Sequence, residues 1–188
     1  NQIDLSQDLF FSEGILDVLD HSAPKALFGS KLGIDATGTE ELKCDIPDIP
    51  SDKEILKFAK ELSSDIRDIS VPIRNVKLPM LFVSLEKKKP HATKKIAKLI
   101  FSDSSLTCFQ IVIFFDSDVD VENTSYSTWK FFNNVDPRRD FHFIDKKLSI
   151  DSTRKWKEEG YDRDWPEEIE MSRSVKREID EIWDRLGI

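Results

Sequence analysis

Three aspartates alternate directly after a strongly apolar run. Asp116, Asp118 and Asp120 follow Ile-Val-Ile-Phe-Phe, a pattern typical of a strand buried on both faces. Ligands of open α/β sheets bind beyond the carboxyl ends of the strands, so this position favours chemistry. Carboxylates in this arrangement suit Mg²⁺ or Mn²⁺, whose preferred ligands are oxygens. The sequence therefore raises the hypothesis of a divalent-metal site at this strand end.

Simpler roles stay open for the same carboxylates. Asp118 and Asp120 can accept hydrogen bonds within a turn, and Asn123 or Thr124 can cap the helix that follows. The segment lacks the Gly that an EF-hand loop requires, because Val121 occupies that position. It also lacks the Thr or Val of haloacid-dehalogenase-like phosphatases. A nucleotide-sugar transferase domain with a metal-binding Asp-x-Asp pair, a turn without metal and an interface role are the alternatives.

A four-residue pattern occurs twice in the chain. Residues 34–37 read Ile-Asp-Ala-Thr, and residues 150–153 read Ile-Asp-Ser-Thr. The first copy follows Gly-Ser-Lys-Leu-Gly, and the second precedes Arg-Lys-Trp. These flanking residues argue against a recurrence by chance.

The composition excludes several classes of protein. The chain has 188 residues, a formal net charge of −8, and 13 Phe and 4 Trp that can build a core. The single basic cluster, residues 86–89, predicts a solvated turn rather than a nucleic-acid-binding face. No zinc spacing of His or Cys is present, and no apolar run is long enough to span a membrane. Without a signal peptide or a disulfide framework, we expect a cytoplasmic protein.

Alternating strand and helix patterns predict an α/β fold. Continuous apolar segments predict strands near residues 78–85, 109–115 and 141–144. Ser51 and Glu54 form a capping box that begins a helix. We therefore expect a three-layer sandwich with a mainly parallel sheet and helices on both faces. Further helices are expected near residues 7–21, 92–101, 126–132 and 175–186, and a long loop over 22–50.

A set of motifs in the second half resembles the C-terminal domain of the UbiD family decarboxylases (3-octaprenyl-4-hydroxybenzoate carboxy-lyase-like). In that family a strand leads to Asp-(Ile/Val)-Asp-Val, a helix with a Trp follows, and Asp-Pro-x-Arg-Asp comes next. The resemblance covers about residues 78–188, including Arg-Asp-Trp-Pro at 163–166. The signature residues, whose roles we expect to be structural, are Asp118, Asp120, Trp129, Asp136, Pro137, Arg139 and Asp140.

A second match, over residues 14–37, explains the repeated pattern. The family has a substrate-pocket loop after Asp-Pro-x-Arg-Asp, which contains Gly-x-Lys-x-Gly-x-Asp-Ala-Thr and ends in Lys-Trp. Here most of that loop lies near the start of the chain, and only its end follows Asp140. The loop is thus split or partly duplicated. We predict that Asp35 and Asp151 lie in different environments, with Asp35 nearer the active site.

The resemblance implies a lyase that removes CO₂ from an aromatic or α,β-unsaturated carboxylic acid. Such enzymes use prenylated FMN, which is held with Mn²⁺ and K⁺. A flavin prenyltransferase supplies this cofactor. Some of these enzymes act in ubiquinone or menaquinone biosynthesis. Their cofactor, metal and catalytic Glu-Arg-Glu network belong to upstream domains, for which this chain shows no counterpart. Because it also begins at Asn1 rather than Met, we expect a C-terminal piece that is not catalytic alone and carries no cofactor.

The same resemblance implies a role in closing the pocket and in homo-oligomerisation. Ile15, Leu16 and His21 match pocket-lining positions, although Ile15 and Leu16 can equally belong to a helix core. Lys25 and Lys31 lie in the same segment and are candidates for contact with an acidic substrate or a cofactor phosphate. We therefore interpret residues 1–188 as a single domain, with a pocket-loop segment and linker over 1–50 and a core over 51–188.

Overall fold

The computed structural model describes residues 8–35, 37, 45–168 and 171–186. A two-stranded antiparallel hairpin, β1 (Leu9–Ile15) and β2 (Phe28–Ile34), lies against a five-stranded sheet. The strands of that sheet are β3 (Ile66–Ser70), β4 (Met80–Leu85), β5 (Ile111–Asp116), β6 (Phe141–Ile144) and β7 (Lys147–Asp151).

The order of the strands in this sheet is β3-β4-β5-β7-β6. The three inner strands are parallel, whereas β3 and β6 are antiparallel to their neighbours. The sheet is therefore mixed rather than mainly parallel. The α/β class is confirmed, but the predicted third strand near 141–144 is an antiparallel edge strand. The sequence did not reveal β3 or the inner strand β7.

Side chains on alternate positions of the inner strands pack into two hydrophobic clusters, one on each face. Leu81 and Val83 of β4 belong to the first cluster, and Phe82 between them belongs to the second. Two helices cover the first face, while the hairpin and one helix cover the second. The hairpin and that helix contribute Leu9, Phe11, Leu32, Tyr126 and Phe131 to the second cluster.

The two helices on the first face are α1 (Asp52–Leu62) and α2 (Ala92–Ser102). The predicted capping box at the start of α1 is confirmed. The Glu54 amide donates to the Ser51 hydroxyl, and the Ser51 amide donates to the Glu54 carboxylate. The helix ends at Leu62 rather than continuing to Ile66, which begins β3.

The second face carries α3 (Thr124–Asn134), followed directly by the short helix α4 (Pro137–Asp140). Asn123 caps α3 by accepting a hydrogen bond from the amide of Tyr126. Proline has no amide hydrogen and cannot continue a helix, which is consistent with the end of α3 just before Pro137. Pro137 then occupies the first turn of α4, where its missing amide costs nothing.

The helix predicted over residues 7–21 is wrong, because Leu9–Ile15 forms the strand β1 and residues 16–21 belong to the loop that follows it. Seven residue pairs join it to β2, from Leu9 with Ile34 to Ile15 with Phe28. The Phe10 ring lies across Gly33, where an added Cβ atom would come within 2.1 Å of it. Its partner strand lies inside the predicted loop over 22–50, of which residues 36 and 38–44 are outside the described part.

The last predicted helix is present as α5 (Arg173–Ile182). Its apolar side is not buried by any other part of the described chain. Apolar side chains recur along it and just beyond it at helical spacing. Within the described residues, no helix combines the length and apolar character needed to cross a membrane. The exposed apolar residues of this region are Met171, Val175, Ile179, Trp183 and Leu186.

Candidate functional site

The loop between β1 and β2 presents apolar side chains to solvent. We call residues 15–27 the tip segment. Ile15 is 82% exposed and Leu19 is 83% exposed, and Val18 beside it is also exposed. Leu16 is only half-buried, and its amide donates to the carbonyl of Leu27 across the base of the loop. Exposed apolar residues grouped in one loop are typical of a contact surface.

The backbone of the tip segment is nevertheless held firmly against the rest of the chain. Four donors, which we call the main-chain clamp, bind four of its carbonyl oxygens. The guanidinium groups of Arg163 and Arg139 donate to the carbonyls of Asp20 and Ser22, each at 2.8 Å. The hydroxyl of Tyr161 donates to the carbonyl of His21 at 2.8 Å, and the amide of Asp162 donates to that of Pro24 at 3.0 Å.

The predicted pocket residue His21 lies between two elements of the core. Its Nε2 is 3.2 Å from Oδ1 of Asn134, and its ring packs edge-to-face on that of Trp165. Asn134 in turn donates to the carbonyl of Ser152, just past the carboxyl end of β7. His21 is therefore connected through one side chain to the strand end where ligands of α/β sheets bind. Lys25 and Lys31 are exposed.

The signature Asp-Pro-x-Arg-Asp forms a buried corner between α3 and β6. Arg139 donates two hydrogen bonds to the carboxylate of Asp140, from Nε at 2.8 Å and from Nη2 at 2.7 Å. The same carboxylate accepts the amide of Asp136 at 2.8 Å. Such two-point pairing fixes orientation as well as charge. The other arginine of the motif, Arg138, is exposed and pairs with Glu13 of the hairpin instead.

Asp136 connects this corner to the hairpin. Its two carboxylate oxygens accept the hydroxyl and the amide of Ser30, both at 2.8 Å. The backbone of the hairpin at Gly29 lies very close to Asp136. A Cβ atom on Gly29 would lie 2.8 Å from the Asp136 carboxylate and 2.6 Å from Leu16. Glycine at position 29 therefore permits the hairpin to reach the signature corner.

A network of buried charges continues from the corner to the carboxyl ends of the strands. The ammonium group of Lys155 is 3.2 Å from Asp151 and 3.7 Å from Asp140, and it also donates to the carbonyls of Asp151 and Thr153. Thr93 of α2 donates to the other oxygen of Asp151 at 2.6 Å. All four side chains are buried, so the charges compensate each other away from water.

Lys87 brings a second ammonium group to the same network. Its Nζ lies 2.6 Å from Glu159 and 3.5 Å from Asp151, and it donates to the hydroxyl of Thr153 at 2.9 Å. The prediction of a solvated turn is correct for Lys88, which is exposed, but wrong for Lys87, whose side chain is 3% exposed. Buried partners on distant segments account for the difference.

The electrostatics of this network favour an ionised Asp151. Burial alone would raise the pKa of Asp151. The ammonium groups of Lys155 and Lys87 and the hydroxyls of Thr153 and Thr93 outweigh that effect and hold its pKa well below the usual range. The network is thus a charged support at neutral pH, with no carboxyl proton to transfer from Asp151.

The aspartate and the threonine of both copies make the same two hydrogen bonds. Asp151 accepts the amide and hydroxyl of Thr153 at 2.9 and 2.5 Å, and Asp35 accepts those of Thr37 at 2.9 and 2.6 Å. Both aspartates lie at the ends of strands, but Asp151 is buried and Asp35 is exposed. The predicted difference in environment is confirmed, and the position of Asp35 relative to an active site stays a prediction.

Two of the three alternating aspartates contact Arg154, and the third accepts a backbone amide two residues further on. Asp116 accepts the amide of Arg154 at 2.8 Å, Asp118 lies 3.4 Å from the guanidinium of Arg154, and Asp120 accepts the amide of Glu122 at 3.0 Å. In the part of the chain that the structure describes, no group of three or more His, Cys, Asp or Glu side chains is arranged to hold a metal ion. The turn interpretation agrees with the contact of Asp120, whereas the contact of Asp118 is with Arg154, far along the chain.

The signature residue Trp129 lies on the outer side of α3 and is 52% exposed. Its ring stacks on Tyr126 with centroids 5.9 Å apart, and Lys130 lies over both rings. Within this chain Trp129 is therefore not part of the core, and its expected structural role stays a prediction. Sequence reasoning missed Lys87, Lys155 and Tyr161, because nothing in their local pattern signals burial.

A family model provides the first comparison with known proteins. Residues 47–160 match the model described as the 3-octaprenyl-4-hydroxybenzoate carboxy-lyase C-terminal domain. The matched stretch contains the five-stranded sheet, the signature corner and the buried charge network.

Curated relatives are substantially longer than this chain. An uncharacterised protein of Aquifex aeolicus is 41% identical over 123 residues, which cover 57% of this chain and 25% of the relative. An uncharacterised protein of Helicobacter pylori is 29% identical over 170 residues, covering 90% of this chain and 27% of the relative. The chain thus spans about a quarter of the length of the curated relatives it matches.

Solved structures share the fold. The vanillic acid decarboxylase of Sedimentibacter hydroxybenzoicus in its closed form matches with a TM-score of 0.59 at 18% identity, over 71% of this chain and 31% of that one. An evolved dimeric form of the UbiD-class enzyme HmfF from Pelotomaculum thermopropionicum, in complex with prFMN, matches with a TM-score of 0.53 at 16% identity, over 66% and 27%. Together with the family match, these findings lead to one conclusion: the chain belongs to the 3-octaprenyl-4-hydroxybenzoate carboxy-lyase (UbiD) C-terminal domain family.

Proposed function

We propose that this chain serves as the C-terminal domain of a UbiD-class decarboxylase, in which it closes the substrate pocket and contributes to homo-oligomerisation. The family match and the greater length of the relatives support a role within a larger enzyme. The substrate would be an aromatic or α,β-unsaturated carboxylic acid, and the reaction would release CO₂. No residue of this chain is proposed as catalytic.

One observation carries the pocket-closing role. The tip segment exposes Ile15 and Leu19 almost fully, while the main-chain clamp fixes its backbone to the core. A flexible apolar loop would lose entropy when it covers a pocket, whereas this one is already ordered. A rigid apolar surface suits the closing of a site from which water must be excluded.

The described residues do not fit the metal part of the implied cofactor. They present no cluster of carboxylate, imidazole or thiolate groups for Mn²⁺, because the candidate aspartates are engaged in other contacts. We infer that prenylated FMN, Mn²⁺ and K⁺ are held by an upstream flavin-binding domain, with a flavin prenyltransferase as the source of the cofactor. Lys25 and Lys31 are then the cationic residues of the hairpin that can face an acidic ligand.

The proposal is tested in the natural full-length protein loaded with prenylated FMN. The variants Ile15→Ser and Leu19→Ser remove apolar surface from the tip segment without touching the clamp. We expect kcat/KM for decarboxylation to fall at least about tenfold, equivalent to about 1.4 kcal/mol of transition-state stabilisation. Release of ¹³CO₂ from carboxyl-labelled 4-hydroxybenzoate, vanillate and cinnamate provides the measurement.

Ile73→Ser is the matched control, since Ile73 is an exposed isoleucine between β3 and β4. It should leave kcat/KM unchanged. Equal activity of the tip variants and the wild type would contradict the pocket-closing role. Absence of ¹³CO₂ from all three acids in the loaded wild-type protein would contradict the proposed substrate class.

A further inference from the structure

An open cavity lies at the end of the sheet opposite to the main-chain clamp. It is an open groove of about 680 Å³ at the amino-terminal ends of β5 and β7. The last turn of α2, the loop before β5 and the turn between β6 and β7 form its walls. Its lining includes Lys98, Phe101, Thr107, Gln110, Ile144 and Lys147.

The charge of this groove contrasts with that of the protein as a whole. Three lysines, at positions 98, 146 and 147, line it together with a single acidic residue, Asp145. The formal net charge of the protein is −8. A concave surface with an excess of positive charge concentrates anions from solution.

Lys147 distinguishes this groove from an ordinary basic surface, because its ammonium group is held in a fixed position. Its ammonium group donates to the carbonyl oxygen of Thr107 at 2.6 Å and to the Thr107 hydroxyl at 3.1 Å, and it lies over the Phe101 ring. These contacts fix the position of Nζ at the wall of the groove. Two of its three N–H bonds are used in this way, which leaves one for a ligand.

This ammonium group also lacks a charge partner in the described part of the chain. Every other half-buried or buried lysine discussed above faces a carboxylate, whereas Lys147 forms no ion pair with a described Asp or Glu. Burial lowers the pKa of Lys147, because desolvation disfavours its charged form. A bound anion would supply the missing negative charge and restore the stability of the ammonium form.

The remaining lining residues determine which kind of anion fits. Phe101 and Ile144 provide apolar surface, and the amide of Gln110 and the hydroxyl of Ser102 provide hydrogen-bonding groups. We propose that this groove binds a small organic anion, with a phosphate or carboxylate head on Lys147 and an apolar body against Phe101 and Ile144. This site is independent of the pocket-closing role of the tip segment.

Protection from acetylation tests the site in the natural full-length protein. Limited treatment with acetic anhydride followed by peptide mass spectrometry reports the reaction of each lysine separately. We expect phenyl phosphate to slow acetylation of Lys147 saturably, with a dissociation constant on the order of 1 mM, and inorganic phosphate to bind about tenfold more weakly. Benzoate in place of phenyl phosphate distinguishes a carboxylate site from a phosphate site, and protection by either supports the proposal.

Two variants separate binding from general effects of charge. Lys147→Met keeps an apolar stem on Phe101 and should abolish the calorimetric heat of phenyl phosphate binding, while Lys147→Arg should retain it in part. Lys57→Met, on the exposed side of α1, should bind like the wild type. Equal protection of Lys57 and Lys147, protection by sodium chloride at matched ionic strength, or unchanged binding by Lys147→Met would each overturn the proposal.

Discussion

Asp35 and Asp151 make the same two hydrogen bonds to the threonine two residues further on, yet one aspartate is exposed and the other is fully enclosed. The local sequence therefore determines the turn, and the surroundings determine what the carboxylate does. At Asp35 the carboxylate accepts these two hydrogen bonds and forms no ion pair with a described residue. At Asp151 it also balances Lys87 and Lys155.

The first prediction compares these two aspartates. Asp151→Asn removes a negative charge that compensates the buried ammonium groups of Lys87 and Lys155. It should lower the free energy of unfolding by about 3–5 kcal/mol. Asp35→Asn should leave it nearly unchanged, because the exposed amide oxygen can still accept from Thr37. Urea denaturation followed by circular dichroism measures both. The contribution of Asp151 should be fully present above about pH 4 and decline in stronger acid, because its pKa is lower in the folded state.

The second prediction concerns Gly29. Gly29→Ala places a methyl group against Leu16 and the Asp136 carboxylate, so the hairpin must shift, at a cost of about 1–3 kcal/mol. Gly14→Ala is its control on the neighbouring strand, since no heavy atom lies within 4 Å of the added carbon. Thermal unfolding should show a lower midpoint for the first variant only. Equal midpoints would show that Asp136 does not constrain position 29.

The third prediction separates the two arginines of the signature corner. Arg139→Lys cannot bind Asp140 at two points and also reach the carbonyl of Ser22, so it should cost about 1.5–3 kcal/mol of stability. Arg138→Lys should cost little, because its partner Glu13 is exposed and the pair is screened by water. Proteolysis within the tip segment should accelerate in the Arg139 variant, whereas an unchanged cleavage rate would argue against the clamp.

The fourth prediction is a dependence of stability on pH. Burial raises the pKa of Asp116 in the folded state, opposed in part by the amide of Arg154. A proton therefore binds the folded state more readily, and the contribution of Asp116 to stability rises as the pH falls through its folded pKa. Asp116→Asn removes this gain. The difference between variant and wild type in unfolding free energy should favour the variant more at about pH 7.5 than at about pH 4.5. An equal difference at the two pH values would contradict the prediction.

The fifth prediction concerns the proposed homo-oligomer. Ile179→Ser combined with Trp183→Ser removes exposed apolar surface from α5 and its end without opening a core. In the full-length protein this should reduce the mass measured by sedimentation velocity, while the unfolding midpoint extrapolated to low concentration stays the same. Glu178→Ser on another side of the helix is the control. An unchanged mass for the double variant would show that α5 is not part of the interface.

Long apolar runs made much of the fold predictable. The strands β4 and β5 were recognised because both of their faces are buried, so nearly every residue is apolar. The capping box of Ser51 and Glu54 was recognised because it is a local interaction. The inner strand β7 was missed because Ser149 and Asp151 occupy buried positions where a strand pattern would have apolar residues.

Long-range contacts made the remainder unpredictable. The spacing of Leu9, Phe10, Ile15 and Leu16 fits a helix as well as a strand, and only pairing with β2 decides between them. In the candidate site, the resemblance to the family located the signature corner and the tip segment. The buried ammonium groups of Lys87 and Lys155 depend on partners far along the chain, which no local pattern reveals.

The main-chain clamp has a consequence for how this domain can diversify. Its donors bind carbonyl oxygens, which every amino acid possesses, rather than side chains of the tip segment. Replacement of Asp20 or His21 therefore leaves the hydrogen bonds of the clamp available, whereas replacement of Arg139 or Tyr161 removes one. Evolution or protein engineering can thus alter the chemistry that the loop displays while the loop keeps its place, so new selectivity need not compete with folding.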